Sequence, residues 1–296
     1  MLKGFPILGI NILNTNKMKL HTINTGLFKL DGGAMFGVVP KAIWQKTNPT
    51  DANNLCTWAM RCLLIEDGNQ LTLIDTGIGN KQNEKFFSHY YLHGDDTLAQ
   101  SLAALGFSTA DITDVFLTHL HFDHVGGAII NEGEKLIPAF KNATYWSNEK
   151  HWQWAIEPNA REKASFLKEN ILPIQESGQL KFIEEKDNVE WKKDIKISFA
   201  YGHTDAMMLP KINYKGKTIV YMADLLPSVG HLPLPYVMAY DMFPLKTLTE
   251  KQAFLEEAVD NGYVLYLEHD PVNECCTLQR TEKGIRVLET FNLSDI

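Results

Sequence analysis

Five apolar runs in this 296-residue chain each end on a side chain able to bind or orient a metal ion. LTLI runs into Asp75, DVFLT into His119, ISFAYG into His203, IVYMA into Asp224, and VLYL into Glu268 and then His269. Short apolar runs bounded by turn residues read as buried strands. Strand ends hold side chains on a rigid frame while the loops that follow shape a pocket. A single such ending carries little weight, because a His or Asp there is often a cap or turn former. Five in one chain point to strand ends gathered around one site.

The densest of these endings is Thr118–Gly127, THLHFDHVGG, which places three of the ten histidines and a carboxylate within six residues. Imidazole and carboxylate suit zinc or a neighbouring divalent ion, and no cysteine need take part. His119 and His121 sit two apart, so an extended or turning backbone can aim both to one side. Asp123 and His124 follow at the turn, near the start of a helix opened by Gly126 and Gly127. The four cannot all reach one tetrahedral ion comfortably. They can serve two ions about 3.5–4 Å apart, as in two-metal hydrolases. Asp224 can bridge such ions, because its two oxygens offset charge on both.

The rest of the chain alternates strand-like and helical segments without repeats. KLHTINTGLFKL reads as a first strand, and RCLLIED and QLTLIDTG as a hairpin turning at Asp67–Gln70. DDTLAQSLAALGF is a helix with Asp95 and Asp96 at its start and Gly106 as its stop. Residues 148–170, broken by Pro158, read as two helical pieces. DIKISFA and KTIVYMAD are strands separated by a turn at Lys215–Gly216, and residues 249–261 form a helix. The fold is expected to occupy residues 18–296 as one domain, with residues 1–17 an extension outside it. That stretch carries a Lys and a short apolar run but no small-residue cleavage site.

A net charge of −8 disfavours nucleic acid and anionic membrane surfaces, which need clustered Lys and Arg. No apolar run reaches the eighteen or so residues that span a bilayer. The four cysteines (Cys56, Cys62, Cys275 and Cys276) form no CxxC pair and read as buried, reduced thiols. A cytoplasmic protein acting on a small-molecule substrate is expected, with periplasmic or secreted location and a homodimer as compatible alternatives.

HxHxDH, then Gly-His-Thr, then a strand-terminal Asp, then a late His resembles the metallo-β-lactamase superfamily over roughly residues 19–293. The resemblance implies an α/β fold, a four-layer αββα sandwich with metals at one edge. By position, His119, His121 and His203 hold the first ion; Asp123, His124 and His269 hold the second; Asp224 bridges. Asp75 matches an Asp that supports the ligands rather than binding directly. The implied cofactor is a pair of divalent ions, zinc foremost, with Mn, Fe or Co as alternatives. The full set is most similar to the quorum-quenching lactonase and methyl parathion hydrolase branch, as are DGGAMFGVVPK and ADLLPS. Two positions depart from the pattern. Asp205-Ala206 replaces the usual Pro-Gly, which questions that loop's shape. Pro227 stands where lactonases carry the tyrosine that assists the substrate carbonyl.

Such a centre makes hydroxide available near neutral pH and polarises the electrophile's oxygen. The expected reaction is direct hydroxide attack on a lactone, ester or phosphotriester, with Asp123 or Asp224 taking or relaying the proton. GxSxG is absent, so a serine nucleophile has no support. Met35, Phe36 and Trp44 are candidates for an apolar lid, with core packing as the alternative reading. His231 and Tyr240 are candidates to replace the missing phenol, and Trp146, Trp152 and Trp154 are expected in the core. A glyoxalase II-type thioester hydrolase would share the ligands. A flavodiiron redox protein needs a carboxylate where His121 stands, and a non-catalytic scaffold would be expected to have lost ligands.

Overall fold

The computed structural model describes residues 18–296, so the expectation for residues 1–17 lies outside the described residues. The first sheet contains β1 (Lys19–Asp31), β2 (Leu55–Asp67), β3 (Gln70–Ile74) and β4 (Asp114–Phe116). A hairpin of β5 (Ile129–Glu132) and β6 (Lys135–Pro138) stands apart, and β7 (Thr144–Ser147) and β8 (Leu180–Phe182) complete the sheet in the order β1-β2-β3-β4-β7-β8. The second sheet holds β9 (Val189–Lys192), β10 (Ile195–Ala200), β11 (Met207–Tyr214), β12 (Lys217–Tyr221), β13 (Val264–Tyr266), β14 (Cys275–Thr281) and β15 (Gly284–Phe291), in reverse chain order.

Side chains alternate across these strands as a two-residue period requires. Leu63 and Ile65 of β2 face the second sheet and meet Ile197, Leu209 and Val220 in the core between the sheets. Cys62 and Leu64 face the other way, onto Leu102, Trp152 and Ile174. Those three belong to the helices Leu98–Ala104, Glu149–Ile156 and Lys168–Glu176. The helix Pro244–Asn261 supplies Phe254, Leu255 and Ala258 on the second sheet's side. Sheets buried on both faces explain why β2 reads as a continuous apolar run. The result is the expected αββα sandwich.

Topology explains why the polar strand ends converge. β3 and β4 pair in parallel, so Asp75 and His119 leave the first sheet at one edge. β12 and β13 also pair in parallel, and β10 reaches β12 through two antiparallel pairings, so His203, Asp224 and His269 leave the second sheet together. Backbone bonds then join the two edges. Met208 N donates to Thr118 O at 2.9 Å, and Ala59 N donates to His269 O at 3.1 Å.

Several boundaries differ from the sequence expectation. The Lys215–Gly216 turn joins β11 to β12, and β11 itself, MMLPKINY, lies between the two runs expected to be neighbours. Thr97, rather than Asp95 or Asp96, caps the helix Leu98–Ala104 by accepting from Gln100 N. The second helical piece begins at Lys168, well after Pro158, and the late helix starts at Pro244. Gly126 and Gly127 follow the short α-helix Phe122–Val125 and open a three-residue 3-10 helix, Gly126–Ala128. A side chain at Gly126 would place its Cβ 2.0 Å from Ile78 O, so close backbone approach requires glycine here.

Candidate metal centre

His121 caps the helix Phe122–Val125, and this turn swings Asp123 and His124 back toward the strand-end His119. Asp75 and Ala223 take left-handed φ values of 57° and 42°, unusual for residues with a Cβ. Strain of this kind is held only where surrounding structure fixes it, and here it aims Asp75 and the following Asp224 inward.

Three donor groups result among the described residues, the third being Asp75, His124 and Glu268, and Asp224 lies between the first two. In the first, His121 Nδ1 lies 3.1 Å from both His119 Nε2 and His203 Nε2. In the second, His124 Nε2 and His269 Nε2 are 3.3 Å apart, with Asp123 Oδ2 3.8 Å from each. Asp224 Oδ2 is 3.0 Å from His203 Nε2, while its Oδ1 is 3.0 Å from His269 Nε2. One carboxylate thus turns one oxygen to each group.

The outer nitrogens show which lone pairs point inward. His203 Nδ1 meets Asp241 Oδ1 at 2.8 Å, His121 Nε2 meets Glu162 Oε1 at 2.9 Å, and His269 Nδ1 meets Ala59 O at 2.7 Å. His124 Nδ1 meets Asp75 Oδ2 at 3.1 Å, and His119 Nδ1 meets Thr118 Oγ1 at 3.1 Å. Acceptors hold an N–H of each ring outward, so the inner nitrogens face one another. Lone pairs at 3.1–3.3 Å repel unless positive charge sits among them. This arrangement fits divalent cations, and thiolates are not needed.

Charge within the centre agrees. Burial works against the charged form of His203, yet the carboxylates of Asp224 and Asp241 hold it up to about 10. His269 is likewise held up to about 9 against burial, by Asp224 and Glu268. Burial and the adjacent imidazoles of His124 and His121 push His119 well below the usual range. Asp224 is also buried, but His203, His269 and His124 keep it far below the ordinary carboxylate range. The set therefore favours positive charge at its centre, whether as protons or as metal.

A cavity of about 230 Å³ opens onto both groups. Leu30, Met35, Phe122 and Met238 form its apolar wall, Tyr90 and Tyr240 bring phenols, and Arg161 brings a guanidinium. The lid expectation is corrected in part. Met35 lines the cavity, but Phe36 and Trp44 are fully buried and stack on each other at 5.0 Å. His231 is excluded from the cavity, because it is buried against Phe36 and spans Ser228 Oγ and Met35 O. Tyr240 does line it. Trp152 is buried, Trp146 packs against the inter-sheet core, and Trp154 bonds Glu162. Asp205-Ala206 preserves a tight loop: Ala206 takes φ 57°, and its carbonyl accepts from Asn148 Nδ2 at 2.8 Å.

Sequence reading missed Glu162, Asp241, Tyr90 and the role of Glu268. Glu162 and Asp241 lie on irregular loops with no strand-end signal. Glu268 carried one, as the residue before His269.

An αββα sandwich with two His/Asp groups at the sheet edge defines a metal-centre class of protein. Residues 61–269 match the metallo-beta-lactamase superfamily, and the chain belongs to it. A probable metal-dependent hydrolase from Staphylococcus aureus is similar in structure, with TM-score 0.84 and 28% identity over 93% of this chain and 96% of that one. AidC, a dizinc quorum-quenching lactonase, shares the fold at TM-score 0.76 and 22% identity, covering 93% and 95%. An N-acyl homoserine lactonase of Bacillus cereus is 27% identical over 52% of this chain. The chain matches 56% of that lactonase's length, about half. No helix among the described residues is long and apolar enough to cross a membrane.

Proposed function

We propose that this protein is a binuclear metal-dependent hydrolase of neutral, fairly apolar lactones, esters or phosphotriesters. The observation that carries the reading is Asp224, with one oxygen toward each donor group at the floor of a largely apolar cavity. His119, His121 and His203 would hold one ion, Asp123, His124 and His269 the other, and Asp224 both. Two divalent cations there would supply an activated water near neutral pH and polarise the oxygen of the electrophile. The relatives, an N-acyl homoserine lactonase and a probable metal-dependent hydrolase, support the same class.

The chain's own residues do the remaining work. Asp241, Glu162 and Asp75 fix the tautomers of His203, His121 and His124. Asp123 has a carboxylate oxygen at the cavity floor, placed to take a proton from an attacking water. Leu30, Met35, Phe122 and Met238 exclude water and take up apolar substrate groups. Tyr240 and Tyr90 offer hydroxyls in the cavity that Pro227 fails to supply. Burial pushes the Tyr90 phenol up to about 12, so it remains a donor at neutral pH.

Steady-state kinetics on metal-loaded protein across lactones, aryl esters, phosphotriesters and thioesters tests the proposal. We expect the first three classes to be turned over in parallel. Thioester turnover orders of magnitude above them would replace this reading with a glyoxalase II-type activity.

A further inference from the structure

We propose that Glu268 is a positioning residue for the second donor group, its buried carboxylate backing His124 and strengthening that imidazole's hold on a divalent cation. The inference rests on the binuclear reading above. His124 Nδ1 is flanked by two carboxylates at the same distance, Asp75 Oδ2 at 3.1 Å and Glu268 Oε2 at 3.1 Å. Their situations differ. Asp75 is committed elsewhere, accepting from Thr118 N at 2.8 Å and from Thr118 Oγ1 at 2.6 Å. Glu268 is fully buried, and apart from the His124 contact neither of its oxygens has a hydrogen-bond donor among the described residues.

Such a carboxyl is costly in an apolar interior unless positive charge compensates it. The Glu268 backbone is held firmly where it is. Arg61 N donates to Glu268 O at 3.0 Å, and Arg61 Nη1 donates to Leu267 O at 2.7 Å and Asp270 O at 2.9 Å. Arg61 Nη1 is committed to those carbonyls, and among the described residues no ion pair joins the guanidinium to Glu268. The nearest basic atom to the carboxylate is His124 Nδ1, whose Nε2 faces the donor group. A cation drawing electron density from Nε2 makes the Nδ1–H more positive, and the carboxylate behind it then stabilises the charged arrangement. Orienting partners of this kind are worth roughly 10- to 100-fold in metal affinity.

The test uses the full chain, stripped with a chelator and titrated with zinc against a chromophoric competitor. Wild type should take up two ions. Glu268→Gln keeps the shape and removes the charge, and it should weaken one of the two affinities by about 10- to 100-fold. The other affinity should stay within about twofold, and the metal-free thermal midpoint should not fall. Glu268→Leu carries the same expectation should the amide variant fail to fold. Two ions with unchanged affinities in both variants overturn the positioning role alone. Equal weakening of both sites together with a lower metal-free midpoint overturns it too, in favour of simple packing. A wild-type chain that takes up one ion overturns the binuclear reading and this inference with it.

Discussion

Asp224 is where the residue scale meets the chemistry. Its two oxygens lie 3.0 Å from His203 Nε2 and from His269 Nε2, so one side chain reaches both donor groups. Replacing it by alanine removes the shared ligand and leaves two incomplete groups. Asp224→Ala should lose one equivalent of metal and several kcal/mol of charge stabilisation, a fall in turnover on the order of 10³-fold. Its far-ultraviolet circular dichroism should match wild type. Turnover close to wild type in that variant rejects Asp224 as the bridge. Residue chemistry was the part most legible in the sequence, because His and Asp at strand ends announce themselves by type and position. The acceptors behind the rings were not. Glu162 and Asp241 come from loops 41 and 38 residues distant from their imidazoles, and no local pattern encodes such a meeting. His231 was misplaced for a related reason, since a Pro-rich loop gives no hint which way an imidazole turns.

The elements position the site through a few close backbone approaches. The turn Phe122–Val125 lies against residues 76–79, with Thr76 N donating to His124 O at 2.8 Å and Gly127 N donating to Gly77 O at 2.9 Å. Gly126→Ala would force a Cβ to 2.0 Å from Ile78 O, a contact that no side-chain rotation relieves. That variant should lose about 3 kcal/mol of stability, read from its urea midpoint, and metal affinity should fall with it. A midpoint within experimental error of wild type would show that the turn can move without loss. Element boundaries were less legible than the elements themselves. β11 was passed over because MMLPKINY contains a proline and lacks clean alternation, although it pairs with β10 and β12 along its two edges and is buried at all but one position. The apolar segment around Phe36 and Trp44 looked like a lid because spacing alone cannot separate a mobile cover from a core layer. Stacking of Phe36 on Trp44 at 5.0 Å and on His231 at 4.4 Å makes it core.

For the whole molecule, the layered fold was legible through the resemblance carried by HxHxDH, Gly-His-Thr and the late His, because alternating strands and helices alone leave several architectures open. Burial also sets how this fold answers acid. His231 and His151 are neutral inside, pushed by burial from 6.5 down to about 3 and about 4 respectively. On unfolding, both gain protons once the pH drops below 6.5, so the unfolded chain binds more protons than the native one there. Through these two groups stability should decline as the pH falls from 6.5 toward 4, with a shallower decline in His231→Gln. Urea midpoints that do not change between pH 7 and pH 4 contradict this assignment of neutral, buried histidines. Metal content tests most directly whether one set of strand ends holds two cations. Protein purified without added metal, then saturated with zinc and freed of excess, should carry two equivalents per chain by elemental analysis. One equivalent or fewer under those metal-replete conditions would contradict the binuclear centre.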